Sequence, residues 1–177
     1  MTYFNRSEGV VFHRKYRDDP ATTEARLNDA LGTESVKLDS AFSVEVLFKA
    51  TPQVCPTASL ICNLGDSSGL IIESRNDANL FYFGLYGEGM EGRVENNGWV
   101  YCSMNVYPDR IELFLNGQKK GVKLLKRPYR NSKEVVRIGS KDPKSVAYYM
   151  GAISEVAIVN RPLPPEEIAV IFSMMGK

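Results

Sequence analysis

Between Gln118 and Arg137 the chain carries Lys119, Lys120, Lys123, Lys126, Arg127, Arg130, Lys133 and Arg137 against one acid, Glu134. Cations this dense attract sulfate, carboxylate or phosphate through charge-assisted hydrogen bonds. The rest of the chain holds 14 basic and 20 acidic residues, so a +7 strip opposes −6 elsewhere beneath a net charge of +1. A lysine-guarded edge strand would give the same pattern with no ligand at all. Nucleic acid is not expected, because only Tyr129 interleaves with these charges and single-strand binding needs a series of stacking aromatics.

A second set combines rings with carboxylates. If Val44, Val46 and Phe48 face a core, period-2 alternation turns Glu45 and Leu47 the other way. The same logic puts Tyr82, Tyr86, Trp99, Tyr101, Ser103, Glu112, Phe114 and Glu155 on the non-core side of their strands. Rings stack on the C–H faces of sugars and carboxylates accept from hydroxyls. Tyr82, Tyr86, Trp99 and Tyr101, with Glu45, are therefore the expected carbohydrate-binding row. Coverage by loops, or pairing of Glu45 or Glu155 with an arginine, would leave the same residues structural.

Other chemistry finds little support. Gly87-Glu88-Gly89-Met90-Glu91-Gly92 has the spacing of a dinucleotide loop, but Arg93 to Gly98 reads as a short strand and a turn where a helix is required. Two glutamates would also repel phosphate, so a hairpin is expected. His13 is the only histidine, which leaves no histidine cluster for a metal and little room for a Ser–His–Asp triad. Cys55, Cys62 and Cys102 are odd in number with no C-x-x-C pair, and read as ordinary thiols, two of them buried. Asn5-Arg6-Ser7 has the spacing of a glycosylation sequon.

The elements that must position these groups are short strands. Phe42–Lys49 alternates, and Ser59–Leu64, Leu70–Ser74, Leu80–Tyr86, Trp99–Val106 and Arg110–Leu115 follow between turn signals. Many short strands with regular turns indicate an antiparallel sandwich or barrel. Asn116-Gly117 should fold Ile111–Leu115 back onto Lys119–Leu124 through a type I′ turn. Pro164-Pro165-Glu166-Glu167 should open a helix whose stripe of Ile168, Ile171, Phe172 and Met175 docks on the sandwich. Residues 1–40 read as a segment packing on one domain that spans 41–177, with Val10-Val11-Phe12 a short apolar run and Glu24 to Leu31 helical in texture. No apolar run nears the roughly 18 residues of a membrane span, so membrane insertion is not expected. Met1 to Glu8 lacks the layout of a signal peptide.

Five blocks in the family's order resemble the laminin-G-like, concanavalin A-like jelly roll. Phe42-Ser43-Val44-Glu45-Val46-Leu47-Phe48-Lys49 is similar to F-T-I-E-A-W-V-K, and Trp99-Val100-Tyr101-Cys102-Ser103-Met104 stands where W-H-H-V-A-V is expected. Ile111 to Gly117 is close to V-x-L-Y-V-N-G. Gly151 to Ile168 follows G-x-I-D-E-V-x-I-Y-N-R-x-L-S-x-E-E-I, with Arg137-Ile138-Gly139 as the x-I-G strand. Leu47, Tyr101, Ser154 and Pro164 depart from the family residues.

The resemblance implies an all-β, two-sheet antiparallel jelly roll with a short C-terminal helix. It also implies a non-catalytic recognition module, most simply a lectin-like one acting outside the cell or at its surface. Its expected partners are a glycan or glycoconjugate on the concave-face row, or a sulfated glycan on Lys119, Lys120, Lys123, Lys126, Arg127 and Arg130. The alternative partner is a protein. No cofactor is required; calcium enters as a family candidate, with Asp66 and Asp142 as rim ligands outside any Asp-rich loop. A glycoside hydrolase on the same fold is the enzymatic alternative, but the family 16-like E-x-D-x-x-E motif is absent, and Glu45, Glu112 and Glu155 lie on separate strands.

Overall fold

Alternation builds the interior. Phe42, Val44, Val46 and Phe48 are fully buried on one side of their strand, as are Val100, Cys102, Met104 and Val106, and Ile111, Leu113 and Leu115, on the next two. The computed structural model describes residues 10–12, 31–33, 40–50, 57–62, 69–75, 79–85, 87–94, 98–129, 136–139, 149 and 151–175. In chain order these form β1 (Val10–Phe12), β2 (Leu31–Thr33), β3 (Phe42–Lys49), β4 (Ala58–Cys62), β5 (Leu70–Ser74) and β6 (Leu80–Leu85). There follow β7 (Glu88–Arg93), β8 (Trp99–Val106), β9 (Arg110–Leu115), β10 (Gln118–Leu124), β11 (Val136–Ile138), β12 (Gly151–Val159) and the helix α1 (Pro165–Met175).

The strands make two six-stranded sheets, β1-β12-β3-β8-β9-β10 and β2-β11-β4-β5-β6-β7, paired antiparallel throughout. The buried rows of β3, β8 and β9 meet Leu60, Leu70, Ile72, Phe81, Phe83 and Leu85 of the second sheet in one core. Phe48 and Phe81 touch across it with ring centroids 5.1 Å apart. The all-β two-sheet antiparallel sandwich with one short C-terminal helix is as the sequence predicts.

The first forty residues add an edge strand to each sheet, β1 beside β12 and β2 beside β11. Val10-Val11-Phe12 is thus a strand, and Leu31 opens another; the remainder of the helical-looking stretch lies outside the described residues. The register of β12 against β3 shifts between Ile153 and Glu155. Strict alternation would place both on one face. The extra residue lets Ile153 and Val156 both enter the core.

Two hairpins follow from their turn residues. Asn116 and Gly117 have φ of 51° and 73°, the paired positive values of a type I′ turn. The turn ties back to β8, where the Tyr101 N–H donates to Asn116 Oδ1 (2.9 Å) and the Asn116 N–H donates to the Tyr101 carbonyl (2.8 Å). The G-x-G-x-x-G run is a hairpin arm as expected, but its strand starts at Glu88, opposite Leu85, and not beyond Gly92.

A Cβ on Gly117 would lie 3.0 Å from Phe172 Cδ1, and a branched residue is strained at its φ. Gly117→Val should therefore cost about 2 kcal/mol or more. Urea denaturation measures this; an unchanged midpoint would mean that the turn relaxes to another type without penalty.

Candidate functional site

The outer face of the first sheet carries Ser43, Glu45 and Leu47 from β3, Trp99, Tyr101, Ser103 and Asn105 from β8, and Glu112 and Phe114 from β9. Helix α1 lies on this face. Ile168 is fully buried in a cluster with Tyr101, Phe114, Val159 and Leu163, flanked by Leu47, Ile171 and Met175. Phe172 stacks on Tyr101 with centroids 6.0 Å apart and planes 13° from parallel. The predicted stripe of Ile168, Ile171, Phe172 and Met175 docks as expected, and in docking it covers the ring that the sequence offers to a sugar.

Polar groups anchor the entry to α1. Leu163 N–H lies 2.9 Å from Ser43 Oγ and 3.0 Å from Asn105 Oδ1, and Asn105 Nδ2 donates to the Leu163 carbonyl at 2.8 Å. Ser43 Oγ has Asn105 Oδ1 at 2.6 Å and the Arg161 carbonyl at 2.8 Å, with one proton to give. Arg161 forks onto Glu167 at 2.9 and 2.7 Å and holds that carboxyl below its ordinary range. Ser43 and Asn105 are not candidates from sequence; their signal is that they face each other in register on β3 and β8, which needs the strand pairing to be known.

Glu45 accepts a hydrogen bond from the Tyr101 hydroxyl, and both side chains are buried. Burial raises the Glu45 carboxyl above its ordinary value; the Tyr101 bond opposes this, while Glu167 and Glu155 add to it. The phenol is likewise raised, first by burial and then by its bond to Glu45.

Tyr82 does not share this face. It lies on β6 of the second sheet, with the Arg75 guanidinium 4.5 Å from its ring centroid and its hydroxyl donating to the Leu85 carbonyl at 2.7 Å. Its ring also crosses β7, where a Cβ on Gly89 would come within 2.6 Å of Tyr82 Cζ. Burial pushes the phenol up to about 12. Tyr86 lies outside the described residues. The described members of the expected row do not form one groove: Tyr101 and Glu45 lie beneath α1, Tyr82 packs on the other sheet, and Trp99 is exposed, at 48%.

The basic strip holds together better. Lys119, Lys120, Lys126 and Arg127 are exposed and Lys123 half-buried along β10 and its continuation; Arg130 lies outside the described residues. Lys119 is committed to Glu112 (3.2 Å), which also bonds Arg110 Nε (3.3 Å), and Arg110 in turn covers the Tyr107 ring at 3.8 Å. Among the described residues Lys120 Nζ reaches Gln118, and the side chains of Lys123, Lys126 and Arg127 have no carboxylate within ion-pair distance, although the Lys126 backbone N–H donates to Glu88 Oε2 at 2.6 Å.

The calcium candidates Asp66 and Asp142 lie outside the described residues, among which no three His, Cys, Asp or Glu side chains converge as a metal site. Cys62 and Cys102 are buried; Cys55, His13 and Asn5 fall outside the described residues. Of the carboxylates weighed for hydrolysis, Glu45 is bonded to Tyr101 and Glu112 to two cations.

A carboxyl raised in the folded state gives stability that is full below its unfolded pKa and lost as pH rises through the folded one. Glu45→Gln should gain stability relative to the native chain as pH rises above the ordinary carboxylate range. Chemical denaturation of both across and above that range checks it, and a constant difference would show that Glu45 is not titrating.

No curated protein matches the sequence. Among solved structures, the chain superposes on a botulinum neurotoxin type C structure, whose cell entry depends on two ganglioside molecules, with a TM-score of 0.61, 16% identity and coverage of 76% of this chain. It resembles a botulinum neurotoxin DC binding domain in complex with rat synaptotagmin II at 0.58, 14% and 76%. Domain 4 of AbnA, an extracellular arabinanase from Geobacillus stearothermophilus in complex with arabinotriose, matches at 0.62, 14% and 80%. The chain spans 36% of each of these neurotoxin chains and 70% of the arabinanase domain. Identities this low speak for the fold alone. The family model described as the concanavalin A-like lectin/glucanases superfamily matches residues 21–169, most of the chain, and the protein belongs to that superfamily as a laminin-G-type member.

Proposed function

We propose that this chain is a non-catalytic recognition module for acidic glycans, held along the β10 edge by Lys120, Lys123, Lys126 and Arg127. The observation that carries the reading is that, among the described residues, the side chains of these four cations have no carboxylate partner while that of Lys119, in the same run, does; Lys126 meets the Glu88 carboxylate through its backbone N–H. Unpaired exposed cations are free to form charge-assisted bonds to sulfate or carboxylate without first losing an ion pair. The glycan-bound relatives support a sugar as ligand, and Tyr129 is unsuited to stack nucleobases because it is buried edge-on against Phe42. Trp99 offers an exposed ring for stacking on a sugar near the Asn116-Gly117 turn.

A protein partner is the second reading. Leu124 at 71% and Met174 at 68% exposure are larger apolar surfaces than a purely polar ligand requires.

Lys126→Glu with Arg127→Glu should weaken binding to heparin and to sialylated glycans on an array by about tenfold or more, whereas Lys119→Gln should change it little. Equal losses in both variants would remove the distinction on which the site is drawn. Trp99→Ala should abolish retention of a neutral oligosaccharide with the fold intact by circular dichroism; unaltered affinity would take Trp99 out of the site.

A further inference from the structure

We propose that the free edge of β10 accepts an extended peptide strand of a protein partner, one whose side chains alternate apolar and acidic. Strand β10 ends the first sheet and pairs only with β9 among the described residues. Beyond the register shift near Lys120 the pairing is regular, with Val122 opposite Glu112, Lys123 opposite Ile111 and Leu124 opposite Arg110. The next residue, Leu125, donates its N–H to the Asp109 carbonyl at 2.8 Å. Hydrogen-bonded and non-hydrogen-bonded pairs alternate in an antiparallel ladder, so Lys123 bonds inward to β9 while Val122 and Leu124 turn their N–H and C=O groups outward.

The same two residues are the exposed apolar side chains of the strand, at 46% and 71%. An added strand would bond to the backbone of Val122 and Leu124 and lay apolar side chains beside theirs on one face. On the other face it would meet Lys123, with Lys120 and Arg127 close by in sequence and no carboxylate at their side chains among the described residues; the Lys126 N–H is taken by Glu88 Oε2 at 2.6 Å, so the open stretch is Val122 to Leu124. That charge sets the partner's chemistry. A second copy of this edge would bring lysine against lysine, whereas an acidic strand is drawn in. The inference stands apart from the glycan reading, because it requires backbone hydrogen bonds that a sugar bound by charge alone does not.

The test is binding of a fluorescently labelled peptide alternating valine and glutamate, followed by anisotropy, to the native chain and to Leu124→Pro. Leu124 N–H bonds nothing in β9, and proline is tolerated on an edge strand, so this variant should keep its melting profile and its heparin retention. Peptide affinity should fall about tenfold or more in Leu124→Pro, and equally for a native chain offered the peptide N-methylated at alternate residues. The N-methylated peptide keeps its charges and decides the matter should the proline variant not fold. A valine–lysine peptide should fail to bind. Absence of binding by the valine–glutamate peptide, equal binding by its N-methylated form, or equal binding by the lysine peptide would each overturn the proposal.

Discussion

Docking of the C-terminal helix on the first sheet governs what this domain can offer to a ligand. Two buried polar side chains, Ser43 and Asn105, meet both backbone groups of Leu163 just before the helix begins. A buried peptide group left without partners costs about 1–3 kcal/mol, so this contact commits the chain to one path across the sheet. The path carries Ile168 onto Tyr101 and Phe114, where full burial of such an apolar side chain contributes about 1.5–3 kcal/mol. Proline at the first helical position and glutamates in the first turn suit the helix start.

Once the helix is in place, a face that alternation marks as outward becomes a second, smaller core. Tyr101 spends its ring on Phe172 and its hydroxyl on Glu45. Glu45 holds its carboxyl where desolvation penalises charge, with Glu167 and Glu155 near enough to add to the penalty. The middle of the sheet is thereby covered, while at its rim Trp99 and the β10 edge remain accessible.

At that rim the charge is unevenly shared. Glu112 draws Lys119 and Arg110 into a local cluster, and Arg110 lies over Tyr107. Lys120, Lys126 and Arg127 face solvent, Lys123 is half-buried, and edge-strand geometry sets outward backbone groups beside them. Apolar Val122 and Leu124 share the same strand, which sets charge, apolar surface and outward-facing peptide groups along one edge.

The sequence by itself determined the longer strands of the sandwich and the faces they bury. Phe42–Lys49, Leu70–Ser74, Trp99–Val106 and Arg110–Leu115 stand where alternation and turn residues put them, because period-2 burial and positive-φ turns are local properties. It also determined that the last helix would dock, since its apolar stripe is written at helical spacing. Only the tertiary structure decided where. Alternation says which side of its own strand a residue faces, but not which sheet the strand joins or what lies on top of it. Hence Tyr82 and Tyr101, alike in sequence logic, belong to different sheets, and the helix predicted for the sandwich covers the ring predicted for the sugar. The same limit applies to charge. Eight cations can be counted along the strip from Gln118 to Arg137, but the pairing of the Lys119 side chain with Glu112, and the contact of the Lys126 N–H with Glu88, arise from which strands lie side by side.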